Sequence, residues 1–255
     1  MKTNKNFLLF LGTSGARYAT IKQLRRSTGI WIRFGKTNIL IDPGPGTLIN
    51  ILNSKQGLNP EELDAIILTH KHIDHSSDIN IMIEAMTYGG KKKRGLLIAP
   101  KDAFGKQGVI FSYLKKFPKK IILLKKSLRL KIKELSLDIP SKLKHSVETY
   151  GIKFTFNKRK LSIISDTEFF PEISSLYNAN IVIINVVLEE DLPGVKHLSL
   201  NGAKKIIQKI NAEKTILTHF GIHIIKNNPK FLEQKIKKEI KKDIIFAKDN
   251  LCLPL

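Results

Sequence analysis

Ala65-Ile66-Ile67-Leu68-Thr69-His70-Lys71-His72-Ile73-Asp74-His75 reads as a short buried strand running into a loop crowded with metal donors. Four consecutive apolar residues fit a strand covered on both faces. Directly after it, three imidazoles and one carboxylate fall within six residues. Neutral imidazole and carboxylate together suit divalent ions such as zinc, manganese or iron. Side chains alternate along an extended loop, so His70 and His72 point to one side and can hold one ion together. Asp74 and His75 lie slightly further on, placed for a second. The chain has seven histidines and spends three of them here.

Further along, His145 opens His-Ser-Val-Glu-Thr-Tyr-Gly, Asp166 sits in Ile-Ile-Ser-Asp-Thr, and His219 follows Thr215-Ile216-Leu217-Thr218. Each comes after an apolar or alternating segment, which places it at a strand end on the same rim. An H-x-H-x-D-H motif followed in order by a lone His, a lone Asp and a late His resembles the metallo-β-lactamase superfamily. The resemblance runs from Leu9-Phe10-Leu11-Gly12-Thr13-Ser14-Gly15 to Phe246-Ala247-Lys248-Asp249.

That resemblance implies an α/β fold, a four-layer αββα sandwich, formed as a single domain over residues 1–255 with metals at one edge between the sheets. Carried over residue by residue, His70, His72 and His145 would hold a first ion. Asp74, His75 and His219 would hold a second, and Asp166 would bridge the two. Zinc is the expected metal, with manganese and iron as alternatives. Two cations roughly 3.5–4 Å apart can share a hydroxide and bring its parent water towards a neutral pKa. Asp74 would also orient that hydroxide. Asp42, at the end of Ile-Leu-Ile-Asp-Pro-Gly-Pro-Gly, resembles an aspartate that accepts the second N–H of a ligand histidine. His197, in Lys-His-Leu-Ser-Leu, resembles a histidine of the phosphodiesterase branch that contacts the scissile phosphate or protonates the leaving oxygen. His223 is expected to be peripheral.

The rest of the chain alternates strands and helices, which argues a layered α/β protein. Ile30 to Phe34 and Asn38 to Asp42 form a hairpin through Gly35-Lys36, and Pro43-Gly44-Pro45-Gly46 stops the second strand. A helix follows with Leu48, Ile49, Ile51 and Leu52 as its apolar residues. Ser76-Ser77-Asp78 caps another, with Ile79, Met82, Ile83 and Met86 buried. Leu96-Leu97-Ile98 is a strand, Val109 to Phe117 is expected to be a helix, and residues 121–164 are mostly strands. Asn157-Lys158-Arg159-Lys160 turns a hairpin. Ser199 caps a helix that buries Ala203, Ile206, Ile207 and Ile210, and Leu232, Ile236 and Ile240 mark a last helix.

Composition narrows the setting. The one cysteine, Cys252, excludes an intrachain disulfide and fits a reducing cytoplasm. Phe7 to Leu11 is too short for a signal core or a membrane span, so a soluble cytoplasmic protein without a membrane partner is expected. The net charge of +22 attracts polyanions. Lysine also recurs with isoleucine along most of the chain, as an AT-rich genome or a thermophile's surface would produce.

The superfamily hydrolyses several bond types, so the fold alone does not choose the reaction. Leu-Gly-Thr-Ser-Gly-Ala-Arg, His-Ser-Val-Glu-Thr-Tyr-Gly, Ser-Asp-Thr and Leu-Thr-His-Phe look like ribonuclease Z and its smaller cyclic-phosphodiesterase relatives. Ribonuclease Z carries a long tRNA-gripping arm between the lone His and the bridging Asp. Here His145 and Asp166 are 21 positions apart, which leaves room for a hairpin only. The expectation is therefore a dinuclear phosphodiesterase that cleaves a P–O bond of a small nucleotide-like or cyclic phosphate by a metal-bridging hydroxide. The alternatives are an arm-less ribonuclease Z-like endonuclease with RNA as partner, an acyl ester or thioester hydrolase, and a non-hydrolytic iron protein. A homodimer is the working expectation.

Overall fold

The computed structural model describes residues 6–255. Six strands fill the first half of the chain: β1 (Phe7–Gly12), β2 (Gly29–Phe34), β3 (Thr37–Ile41), β4 (Ala65–Ile67), β5 (Arg94–Ala99) and β6 (Pro118–Leu123). The second half begins with β7 (Arg129–Ile132), β8 (Leu135–Asp138), β9 (Ile152–Phe156) and β10 (Arg159–Ile164). It continues through β11 (Ile181–Asn185), β12 (Lys214–Thr218) and β13 (Ile244–Phe246) to β14 (Cys252–Pro254). They form two seven-stranded sheets, ordered β14-β1-β2-β3-β4-β5-β6 and β13-β12-β11-β10-β9-β8-β7.

The two sheets share one plan. In the first, β1, β2 and β3 run antiparallel, and β3, β4, β5 and β6 run parallel. In the second, β7 to β10 are antiparallel and β10 to β13 are parallel. Local turn chemistry explains the antiparallel halves. Asn157 and Lys158, at φ 44° and 66°, make a two-residue hairpin turn, so Arg159 and Lys160 already belong to β10. The central parallel strands β4 and β11 are buried on both faces, as their unbroken apolar runs require.

Helices cover both outer faces. The first half supplies α1 (Ala16–Lys22), α2 (Thr47–Leu52), α3 (Ile73–Ser76) and α4 (Ile79–Thr87). The second supplies α5 (Ile173–Leu176), α6 (Leu200–Lys209), α7 (Ile222–Lys226) and α8 (Pro229–Ile240). Leu8, Phe10 and Ile32 share the central core with Ile152, Phe154 and Ile163 of the other sheet. Leu9, Trp31 and Ile66 turn outward to Met82 and Met86 of α4. Val182, Ile184 and Leu217 turn to Ala203, Ile206 and Ile207 of α6. The order of layers is thus helix, sheet, sheet, helix, the four-layer αββα sandwich expected. Ser199 caps α6 by accepting the Gly202 N–H at 2.9 Å. Among the described residues no helix is long and apolar enough to cross a membrane.

Two local expectations are corrected. Residues Val109 to Phe117 do not form an α-helix; only a 3₁₀ turn at Ser112–Lys116 appears. The Asn80 side chain donates to the Val109 carbonyl at 2.8 Å and accepts the Phe111 N–H at 3.0 Å, replacing helical bonds. Pro118 then ends the turn at the start of β6. Nor do Ser76, Ser77 and Asp78 cap α4 with a side chain: the two hydroxyls donate to the carbonyls of His72 and Ile73, and the Asp78 carboxylate turns to α2.

Carboxylates tether the loops that border these strand ends. Thr13 Oγ1 donates to Asp249 Oδ1 at 2.6 Å and the Arg26 N–H donates to Asp249 Oδ2 at 2.9 Å, pinning both ends of the loop between β1 and β2. The Asp78 carboxylate leaves its own helix and accepts the N–H groups of Gly46 and Leu48 at 3.2 and 2.9 Å, capping α2. Asp78→Ala is expected to lower unfolding stability by about 1 kcal/mol, measured by urea titration, because α2 loses that cap.

Candidate metal centre

The donors converge where parallel strands of both sheets end. Asp42 leaves β3 at φ 51°, and its N–H bonds the Ile67 carbonyl of β4 at 2.9 Å. Its carboxylate accepts the Thr69 N–H and hydroxyl, both at 2.7 Å, and contacts His75 Nδ1 at 2.9 Å. A carboxylate only accepts, so His75 carries a proton on Nδ1, and Nε2 is the nitrogen left to ligate a metal. That Nε2 lies 3.5 Å from Asp166 Oδ2 and 3.8 Å from Asp74 Oδ2.

The same logic orients His145. Its Nδ1 donates to the Lys196 carbonyl at 2.8 Å, which turns Nε2 inward to 3.0 Å from His72 Nδ1. His70 Nδ1 meets Thr69 Oγ1 at 3.1 Å, and its Nε2 lies 3.9 Å from Asp166 Oδ2. His219 follows β12 in the left-handed region at φ 61°, and its two ring nitrogens stand 3.2 Å from Asp74 Oδ2 and 3.4 Å from Asp166 Oδ1. Its ring fits only because residue 15 is glycine: a Cβ there would come within 2.0 Å of Nδ1. Such a conformation at a non-glycine residue is held by its surroundings, as at other functional sites.

Both carboxylates are positioned from outside the cluster. Asp166, at the exit of β10, accepts from Asn185 Nδ2 at 2.8 Å. Asp74 accepts the Ala16 N–H at 2.8 Å from the start of α1. His197 brings its Nδ1 to 3.4 Å from Asp166 Oδ2 and packs its ring 4.8 Å from that of His145. Asp42 and all eight residues expected at the site therefore meet in one place. His223 lies exposed on α7, away from the donor sets.

His70, His72 and His145 form one set whose ligand atoms lie within 4.8 Å of one another, and Asp74, His75 and His219 form another. Asp166 joins a set with His70 and His75 and a further one with His145 and His197. His70, His75 and His219 are 0 % exposed. His70 Nε2, His75 Nε2, His197 Nδ1 and both nitrogens of His219 are buried without a hydrogen-bond partner. Buried imidazole nitrogens and carboxylate oxygens packed together in a dry pocket form a donor set that a cation would satisfy. The donor set fits a divalent ion of the zinc, manganese or iron type.

Electrostatics agree. Burial holds His70 well below its ordinary range, aided by His75, and pushes His145 down to about 4. Burial also lowers His72 and His197. These rings are neutral at physiological pH, the form that ligates metal. Burial pulls Asp166 and Asp74 upward, yet the surrounding imidazoles hold both well below the carboxylate range. For His75, burial is outweighed by Asp166, Asp42 and Asp74, which raise it well above its usual value. A cation would relieve the same negative field that now falls on that ring.

Several positioning groups have no place in the sequence reading: Asn185, Thr69, Gly15 and the Lys196 carbonyl. Asn185 is detectable, because it ends the apolar run Ile181-Val182-Ile183-Ile184 as Asp42 ends its own strand. The Lys196 carbonyl and the approach of Gly15 to His219 carry no side-chain signal. Asp42→Asn removes a charged acceptor behind His75. It is expected to weaken zinc binding by about 10- to 100-fold, measured by competition with a chromophoric chelator.

A β-lactamase superfamily domain model matches residues 37–220. An uncharacterised protein of Methanocaldococcus jannaschii is 28 % identical over 97 % of this chain and 94 % of its own length. Ribonuclease Z of Borrelia garinii is 24 % identical over 83 % of this chain and 84 % of its own. Among solved structures, a diphosphatase from the PhnP family superposes with a TM-score of 0.72 at 17 % identity, covering 98 % of this chain and 97 % of that one. The ordered donors, the paired sheets and the matched residues lead to one conclusion: the chain belongs to the β-lactamase superfamily.

Proposed function

We propose that the protein is a divalent-metal-dependent phosphodiesterase that hydrolyses a P–O bond of a small nucleotide-like or cyclic phosphate. The observation that carries this reading is Asp166, a buried carboxylate shared between donor sets and faced by the separate imidazole of His197. His70, His72 and His145 would hold one ion, Asp74, His75 and His219 a second, and Asp166 both. Ions held there would supply an acidified water and neutralise the charge that grows on the attacked phosphorus.

The chain's own groups do the rest. Asp42 and the Lys196 carbonyl fix which nitrogens of His75 and His145 face inward, so the site is set before substrate arrives. Asn185 holds one oxygen of Asp166 and leaves the other towards His75 and His197. The His197 side chain is 18 % exposed, so it reaches the open side of the cluster. There it would contact the scissile phosphate, whose negative charge would restore to the ring the proton that burial removes, and the ring would pass that proton to the leaving oxygen as the P–O bond breaks.

The compact connection supports a small substrate. His145 and Asp166 are joined by β9, a two-residue turn and β10, with no extended arm between them. Ribonuclease Z and a diphosphatase, two of the similar proteins, both bear names that denote P–O cleavage.

Turnover of bis(p-nitrophenyl) phosphate by protein loaded separately with zinc and manganese tests the reading. Asp166→Ala, shown to stay folded by circular dichroism, is expected to lose activity by at least about 100-fold, in line with losing transition-state charge stabilisation. Full activity in that variant would overturn the assignment. Absence of turnover with two ions bound per chain would move it to acyl substrates. His197→Ala is expected to cut kcat by about 100-fold or more with metal content unchanged, whereas a surface histidine would leave kcat alone.

A further inference from the structure

The positive charge is concentrated. Residues 91–126 hold eleven lysines and one arginine against a single acid, Asp102, a net +11 out of the chain's +22. Lys91, Lys92, Lys93, Lys106 and Lys116 are exposed. Among the described residues only Arg94 of these twelve cations has a carboxylate at ion-pair distance, Asp64 at 4.0 Å. Such a field of unpaired lysines repels itself and is relieved by a polyanion.

Aromatic rings lie within this field. Phe111 and Tyr113 are 57 % and 55 % exposed, and their rings stack with centroids 6.1 Å apart and 23° between planes. Phe117 meets Tyr113 edge-on at 6.1 Å and packs against Gly90, where a Cβ would fall within 2.7 Å of its ring. That contact joins the Lys91-Lys92-Lys93 turn to the aromatics. Lys115 Nζ sits 5.7 Å from the Phe104 ring.

The surface also reaches the metal centre. Lys71, between His70 and His72, lies 3.7 Å from Asp102. Asp102 and Glu148 each accept the other's backbone N–H, at 3.3 and 3.2 Å. The head of the basic segment is thereby fastened to both loops that carry His72 and His145.

Exposed aromatic faces beside unpaired cations match bases beside phosphates. A protein partner is a poorer fit, since lysine is depleted at protein interfaces. We propose that the surface formed by residues 91–93 and 101–117 binds single-stranded nucleic acid, with bases stacked on Phe111 and Tyr113 and phosphates on the flanking lysines, and delivers the strand to the rim of the metal centre. This goes beyond hydrolysis of a small phosphodiester and does not depend on it.

Fluorescence anisotropy with labelled oligo(U) and oligo(dT) of about twenty nucleotides tests the proposal, a length that covers the known range of single-strand sites. A duplex of equal length is the comparison. Single strands should bind more tightly than the duplex, with a log–log salt slope of about −3 or steeper. Phe111→Ala with Tyr113→Ala should weaken binding by roughly tenfold or more, and Tyr113→Phe should retain it. Replacing Lys91, Lys92 and Lys93 by Gln should flatten the slope by about 2. Preference for oligo(U) would assign RNA, and preference for oligo(dT) would assign DNA. Binding should persist under chelation and in Asp166→Ala, so failure of the hydrolase reading leaves this one intact, and the reverse. Three results would overturn it: no binding, equal affinity for the duplex with no effect of the aromatic variants, or aromatic variants that dissolve a dimer in sedimentation while leaving oligonucleotide binding unchanged.

Discussion

The site depends on fixing the outer nitrogens of His75 and His145 so that each inner nitrogen has only one direction to face. Asp42 does this for His75, and the Lys196 carbonyl does it for His145. A histidine is ambivalent between its two nitrogens, and a single hydrogen bond removes the choice. With the choice removed, lone pairs and two carboxylates are forced together in a buried space. The arrangement is electrostatically costly without a cation and favourable with one. Burial, ligand identity and proton placement are therefore one constraint.

The fold meets that constraint by symmetry of construction. Each sheet turns from antiparallel to parallel at β3 and β10, and those strands and their parallel neighbours end at Asp42, Thr69, Asp166, Asn185 and His219. Carboxyl ends of parallel strands are where open α/β sheets place ligands. Here two such edges face one another across the core of Phe10, Ile32, Phe154 and Ile163. Three of the four possible donor sets among the described residues draw from both halves of the chain, so they come together only once the inner faces have packed.

Much of this is legible in the sequence. The metal loop announces itself because imidazole and carboxylate cluster there and follow an apolar run. Asp166 and His219 are readable from their order and their strand-end positions; His145 is readable from its order alone, because it lies in the loop between β8 and β9 and not at the strand end expected. Asp42 is readable from the abrupt stop at Pro43-Gly44-Pro45-Gly46. What stays hidden is whatever the backbone contributes. The Lys196 carbonyl, the Ala16 N–H and the space left by Gly15 depend on distant segments meeting, and no residue type marks them. Residues 109–117 read as a helix and are not one, for a related reason. Their apolar side chains serve a wrapping of α4 clamped by Asn80, and a contact of that kind leaves no period in the sequence.

The closing strand carries a consequence for the order of assembly. β14 pairs with β1, placing Pro254 opposite Phe7, and Asp249 ties down the loop that sends the Ala16 N–H to Asp74. A chain emerging residue by residue holds six of the seven strands of its first sheet long before the last one exists. Contacts of such separation are slow to close. During synthesis the donors of the first half would wait, partly gathered, for a strand made much later. The same feature makes the segment from Asp249 to β14 a remote control over the geometry of Asp74: a change there acts on the donor cluster through the loop that carries Ala16.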